Sequence, residues 1–352
     1  MGRATQATVK RELLVRLLDS TVPALHGGFT YAEGYAGAGA GPEPSAVAAL
    51  RVFGEFADRL RGPLAVVLVG ADRDRLNALC ERVTRARAEI DLPERVRVDA
   101  VPGDCDTHLV PALRRADAFG APVLAYLDAV GASPPGYDTL AQLTAGHHAD
   151  VLIALDPGAL LAPVDGPADK PAGEPAVAAG DRLYGPAAWR AAADLPAADR
   201  YPYLVTCYRS ALGHAGLALV SHVELVDDDG HAQLLFFATA SATRLDRFKD
   251  ELWAVDEFAG VRYRDPRDRD HALLDISLEP HLGPLRRALL DRVEAAGECP
   301  AGELRHYTRT ETMYRAQDAF HAIGGLVTAG KVSRQPERGR LTAGTVIRGP
   351  AG

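Results

Sequence analysis

Cysteine is scarce in this 352-residue chain: Cys80, Cys105, Cys207 and Cys299 are scattered and form no C-x-x-C pair. That argues against a disulfide framework and against the ligand spacing of a zinc site, so no metal is expected. Long apolar runs are missing too, and no stretch of ~18 such residues offers a membrane span. Met1–Lys10 is polar and lacks the apolar core of a signal peptide. A cytoplasmic protein without membrane contact is the resulting expectation. Lysine is sparse beside abundant Ala, Gly, Arg and Asp, and no internal repeat is present. A hydrophobic content of 47% with 24% charged residues suits a globular chain. Its length suits two domains, or one large domain with an appendage.

What is present is concentrated near the start. The stretch Phe29-Thr-Tyr-Ala-Glu-Gly-Tyr-Ala-Gly-Ala-Gly-Ala-Gly41 is a short β-prone run that ends in an acid, Glu33. It opens into a loop holding Gly34, Gly37, Gly39 and Gly41, and a helix-compatible stretch follows from about residue 44 to 60. Strand, glycine turn and helix is how an α/β sheet holds a nucleotide-like ligand at its carboxyl edge. Glycine lets the backbone approach the ligand without a Cβ clash. A dinucleotide fingerprint, G-x-G-x-x-G/A read from Gly37, meets Pro42 at its sixth position and fails. An acid at the strand end followed by G-x-G suits S-adenosylmethionine (SAM) better. The plain alternative is a Gly-rich loop with no ligand.

Further along, Val9, Leu13, Leu14, Leu17 and Leu18 mark an apolar helix before the first strand, Phe29–Glu33. Leu64–Val69 is a continuous apolar run, as in a parallel strand buried on both faces. Strands follow near 95–101, 123–128 and 150–156, separated by helical stretches near 72–83, 107–118 and 139–146. That alternation predicts βαβ crossovers and a parallel sheet. Residues 157–202, rich in Ala, Pro, Gly and Asp, break the pattern and read as an insertion, part loop and part short helix. Tyr184-Gly-Pro-Ala-Ala-Trp189 is its one anchored piece. A helix near 203–215 returns the chain to the body. Segments 216–226 and 231–240, joined by Asp227-Asp-Asp-Gly230, predict an antiparallel hairpin. Five β/α units closed by such a hairpin are the expected layout of a class I SAM-methyltransferase-like sheet within residues 1–260.

From Pro284 the reading changes. Three helical stretches, near 284–297, 300–310 and 313–328, precede two strands around a basic tip within 331–347. That is the pattern of a small winged-helix domain over 281–352. This segment carries 11 Lys and Arg against 7 Asp and Glu, a surplus of four. The whole chain is −8, so residues 1–280 carry −12. The asymmetry hints at a module that meets something anionic.

The order Tyr31-Ala-Glu-Gly-Tyr-Ala-Gly-Ala-Gly39, Ala125-Tyr-Leu-Asp-Ala-Val-Gly131 and Asp150-Val-Leu-Ile-Ala-Leu-Asp156 resembles the three-Cys-motif partner protein (TcmP) family. So do Tyr184-Gly185 with Trp189, and Phe236-Phe-Ala-Thr-Ala240. The family's first motif, roughly Y-I-D-G-F-A-G-P-G, is matched at Tyr31, Gly34, Ala36, Gly37 and Gly39, with Glu33 for its acid. The resemblance covers nearly the whole chain through short motifs. It implies a methyltransferase-type Rossmann domain, a winged helix and a radical-SAM-type partner protein. Two departures stand out. Where the family is similar to D-P-[FY]-G, this chain has Asp128-Ala-Val-Gly131. Where the family places an acid for the SAM ribose, this chain has Gly70, with Asp72 two residues on.

The candidates are therefore as follows. Glu33 either bonds the SAM ammonium or is a solvated turn acid. Gly34, Gly37 and Gly39 shape the loop, and Asp72 stands in for the ribose acid. Asp104 either meets the adenine amino group or caps a helix. Asp128 either orients or deprotonates a nucleophile or is a structural cap. Arg305, Arg309, Arg315, Lys331 and Arg334 are the candidates for nucleic-acid phosphates, unless the basic unit makes protein contacts instead. Methyl transfer is the expected activity, and a non-catalytic scaffold or nucleic-acid-binding partner is the alternative.

Overall fold

The computed structural model describes residues 2–25, 27–39, 43–90, 92–165, 174–185, 187–255 and 260–349. Its body is an α/β fold around one nine-stranded mixed sheet. In chain order the strands are β1 (Phe29–Glu33), β2 (Leu64–Gly70), β3 (Val96–Pro102), β4 (Val123–Asp128), β5 (Ala149–Leu155), β6 (Leu219–Asp227), β7 (Ala232–Thr239), β8 (Val261–Arg264) and β9 (Leu274–Asp275). Spatially they run β3-β2-β1-β4-β5-β7-β6-β8-β9. β1 to β5 are parallel, and β7 is antiparallel to both β5 and β6. The closing hairpin expected from the sequence is thus present, and β8–β9 extend it.

Helices α1 (Gly2–Thr21), α2 (Ser45–Phe56) and α3 (Arg73–Ile90) cover one face. On the other face lie α4 (Cys105–Arg115), α5 (Tyr137–Thr144), α6 (Pro157–Leu161), α7 (Glu174–Tyr184) and α8 (Ala197–His214). Strand alternation sorts the core between them. Phe29, Tyr31, Leu124 and Tyr126 point to the α1 side, whereas Ala32, Ala125 and Leu127 point to the α4 side.

The segment 157–202 is more ordered than its composition suggests. α6, α7 and a 3₁₀ helix over Ala187–Asp194 occupy much of it, and α8 begins at Ala197, with Pro202 inside the helix. Tyr184 and Trp189 are indeed its anchor: both are buried and stack with ring centroids 5.9 Å apart. Residues 166–173 lie outside the described residues.

After α9 (Ala242–Leu252), the C-terminal part contains α10 (Gly283–Ala296), β10 (Glu298–Pro300), α11 (Ala301–Glu311), α12 (Asp318–Thr328), β11 (Ser333–Gln335) and β12 (Val346–Arg348). β12 pairs antiparallel with both β10 and β11. β10 had no counterpart in the sequence reading. The third helix begins at Asp318 rather than Met313, because Met313 and Tyr314 are taken by the body. Trp253 stacks on Tyr314 at 5.6 Å, and its Nε1 donates to the Met313 carbonyl at 3.2 Å. The apolar core under α1 and α9 is continuous with that of α10–α12.

Candidate ligand-binding site

The loops that leave the carboxyl ends of β1 to β4 converge on a cavity of about 420 Å³. Gly34, Tyr35, Ala36 and Ala38 come from the first loop, Ala71, Asp72 and Arg75 from the second. Asp104, Cys105 and Asp106 come from the third, Ala132 and Ser133 from the fourth, and Arg182 from α7. Size and position suit a small-molecule site of this sheet type.

Two glycines explain how the first loop lies so close. A Cβ on Gly34 would sit 2.6 Å from Cys105 Sγ and 2.7 Å from a Leu127 methyl. Gly37 adopts φ +84°, and its position against the backbone of Arg75 leaves no room beyond 3.0 Å. Ala36 N–H then donates to the Val69 carbonyl at 2.8 Å, which folds the loop over the end of β2. That crossing accounts for Gly70: any Cβ there would collide with the Ala36 carbonyl. The acid missing from Gly70 therefore has no space to exist. Gly39 is exposed and has nothing near it.

Asp72 and Asp104 both line the cavity and both cap helices. Asp72 Oδ1 accepts from the N–H groups of Asp74 and Arg75 at 3.0 and 3.1 Å. Asp104 Oδ1 accepts from Thr107 N–H at 2.9 Å, and that bond holds its carboxyl below the usual range. Each side chain remains more than half exposed, at 56% and 60%. Capping occupies Oδ1 in each, while Oδ2 lies 3.4 Å from Arg75 Nε in Asp72 and 3.5 Å from His108 Nδ1 in Asp104, so a ligand would share each Oδ2 with that basic neighbour.

Asp106 organises the far wall. It accepts from Gly136 N–H at 2.8 Å and from Thr139 Oγ1 at 2.9 Å, and it pairs with Arg182. Arg182 also donates to the Pro134 carbonyl at 2.9 Å, while Tyr35 hydroxyl donates to the Ser133 carbonyl at 2.8 Å. Burial pushes the Cys105 thiol up to about 12, so it is a protonated wall group and no nucleophile.

Glu33 and Asp128 are not in this lining. Alternation turns them to the α1 face of the sheet, where they form a separate polar cluster. Lys10 of α1 gives 2.8 and 2.7 Å bonds to the two oxygens of Asp128, and Tyr126 hydroxyl adds one at 2.9 Å. Tyr31 hydroxyl donates to Glu33 at 3.0 Å. Burial, with Asp128 nearby, pushes the Glu33 carboxyl up to about 7 despite that bond.

The basic candidates divide. Arg309 makes two bonds to Asp246 of α9 at 2.7 and 2.8 Å. Arg315 is bonded to Asp318 and to the Leu278 carbonyl, and Arg334 holds the Glu337 and Gly339 carbonyls. Arg305 and Lys331 are exposed, Arg305 lying over the Phe320 ring at 5.9 Å.

Sequence reasoning missed Tyr35, Arg75, Asp106, Arg182 and Lys10. Asp106 stood in plain view in Gly103-Asp-Cys-Asp106, and Arg182 lies two residues before the anchored Tyr184. Lys10 shares the inward stripe of α1 with Leu13, Leu14 and Leu17, and a charge on an apolar stripe is a signal of a buried partner.

No protein-family model matches the chain, and no curated protein matches it. Among solved structures it is similar to the O-methyltransferase TomG from Streptomyces achromogenes, involved in tomaymycin synthesis, in complex with SAM. That likeness has a TM-score of 0.33 and 14% identity, over 64% of this chain and 79% of the other. It is too slight to carry an argument, so the fold rests on the topology above. No described helix is long and apolar enough to cross a membrane.

Proposed function

We propose that this chain is a SAM-binding protein of methyltransferase type. The observation that supports it most is the convergence of the post-β1, β2, β3 and β4 loops on one cavity of about 420 Å³ that holds Gly34, Asp72 and Asp104. The donor set fits the cofactor. Asp72 Oδ2 would take the ribose hydroxyls that Gly70 cannot, and Asp104 Oδ2 would take the adenine amino group. Tyr35 offers a half-buried ring wall, and Arg182 a guanidinium for a carboxylate. SAM would supply an electrophilic methyl group, and the chain's task is then alignment, which needs no strong base. Glu33 on this reading acts behind the loop rather than on the ligand's ammonium.

Under the same proposal the C-terminal unit, residues 281–352, is a winged helix, with α10–α12 and the β10-β12-β11 sheet as its parts. It would present a nucleic acid, or a substrate held by a radical-SAM-type partner, to the body in the cytoplasm. Arg305 and Lys331 are the side chains free for phosphates; Arg309, Arg315 and Arg334 would have to give up bonds first.

One observation favours a second reading, a non-catalytic scaffold. Both oxygens of Asp128 are held by Lys10, and no aromatic follows it in Asp128-Ala-Val-Gly131. That carboxylate is committed to Lys10 and lies outside the cavity lining.

Calorimetric titration with SAM, S-adenosylhomocysteine and NAD decides between them. Micromolar binding of the sulfur ligands, none of NAD, and at least a tenfold loss in Asp72→Ala are expected. No heat and no thermal shift with either sulfur ligand would overturn the methyltransferase reading in favour of the scaffold.

A further inference from the structure

Further along the same carboxyl edge, the β6–β7 turn holds buried oxygen acceptors without donors. Asp227 is 1% exposed. Its Oδ1 accepts from the N–H groups of Asp229 and His231 at 3.0 and 2.8 Å. Its Oδ2 is buried with no hydrogen-bond partner among the described residues, and it lies 3.5 Å from His231 Nδ1. Two further buried oxygens nearby are in the same condition, Gln6 Oε1 and Gln233 Oε1. The Gln6 amide cannot be turned to repair this. Its Nε2 already donates to the Leu225 and His231 carbonyls, both at 2.9 Å. A buried acceptor without a donor is costly, and a buried carboxylate oxygen more so.

We propose that Asp227, Asp229 and His231 form a binding site for a divalent cation of the zinc type. One ligand atom from each residue lies within 4.8 Å of the other two. The turn brings the three side chains together across one tight loop of chain. Two carboxylates and an imidazole nitrogen are the donor set of zinc or manganese, and a hard, strongly hydrated ion such as magnesium favours oxygen alone. Asp227 Oδ1 is fixed by two backbone N–H groups, which aims Oδ2 at the ion as an outer-shell bond should. Asp229 and His231 are exposed, so the ion has an entry path and solvent completes its coordination. The site clasps α1 to the hairpin, because Gln6 of α1 is bonded to the same turn. It lies at the carboxyl end of β6, three strands from Asp128 of β4, and does not depend on the cofactor reading.

The full-length protein, stripped with chelator and dialysed, is titrated with zinc chloride by calorimetry and by thermal unfolding. One equivalent should bind and raise the unfolding midpoint, and magnesium chloride should not compete. The double variant Asp229→Asn, His231→Ala changes only exposed side chains, so circular dichroism should report an unchanged fold. Its zinc affinity should fall by at least about tenfold, the loss seen even when a partner one shell further out is removed. Absence of stoichiometric zinc binding to the wild type overturns the proposal, with water then the partner of these oxygens. Equal affinity in the double variant overturns it as well, since the ion would be bound elsewhere.

Discussion

Glu33→Gln should stabilise this protein increasingly as the pH rises. Glu33 is 7% exposed, and burial beside Asp128 lifts its carboxyl from an ordinary 4.5 to about 7. The folded state therefore holds a proton on Glu33 that the unfolded chain has lost. For an acid raised in the folded state, the stabilising contribution is complete below 4.5 and is lost as pH climbs through about 7. A shift of this size, at 1.36 kcal/mol per unit, amounts to about 3 kcal/mol across the window. Glutamine keeps an oxygen for the Tyr31 hydroxyl and has nothing to ionise. The difference in unfolding free energy, variant minus wild type, should then grow by about 2 to 3 kcal/mol between pH 5 and pH 8. Urea unfolding of both proteins at each pH measures it, and titrating groups that do not interact with Glu33 cancel in the difference. A flat difference would refute the reasoning and would mean that Lys10 and Tyr31 together keep Glu33 ionised.

Two other outcomes follow from the packing. Lys249 is fully buried, and its three N–H groups are shared among four carbonyls, those of Thr308, Arg309, Thr312 and Tyr314; burial lowers its pKa to about 7, and Lys249→Met should cost several kcal/mol in chemical denaturation, at about 1 to 3 kcal/mol for each buried carbonyl left without a donor. Gly70→Ala should lower the melting temperature and weaken any cavity ligand together, because its Cβ displaces the Ala36 carbonyl; an unchanged melting temperature would mean that the first loop is not folded over β2.

The parallel sheet was legible because its strands are continuous apolar runs, and the hairpin because Asp227–Gly230 is a strong turn. Gly34, Asp72 and Asp104 reached the cavity as their spacing after the strands implied. Glu33 and Asp128 did not, for a reason also present in the sequence. Each is an even number of residues from a tyrosine, Tyr31 and Tyr126, that faces the α1 core, and period two carries the acids to that face. Helices α6 and α7 were harder to see, since they are short, Ala- and Gly-containing stretches without a sustained apolar period; α8 was read from residue 203 and begins six residues earlier. Arg182 and Asp106 meet across 76 residues of chain, a distance over which local pattern carries no information.

The chain has only four lysines, and two of them, Lys10 and Lys249, are buried where separate parts of the molecule meet. Lys249, with Trp253 and Asp246, makes the last turn of α11 an extension of α9. The C-terminal unit and the sheet consequently share one free-energy reservoir. α9 in turn packs on β7 and β6, so the contacts of α11 reach the sheet through one helix. The C-terminal helices and the sheet are thereby packed through one set of buried polar and aromatic contacts.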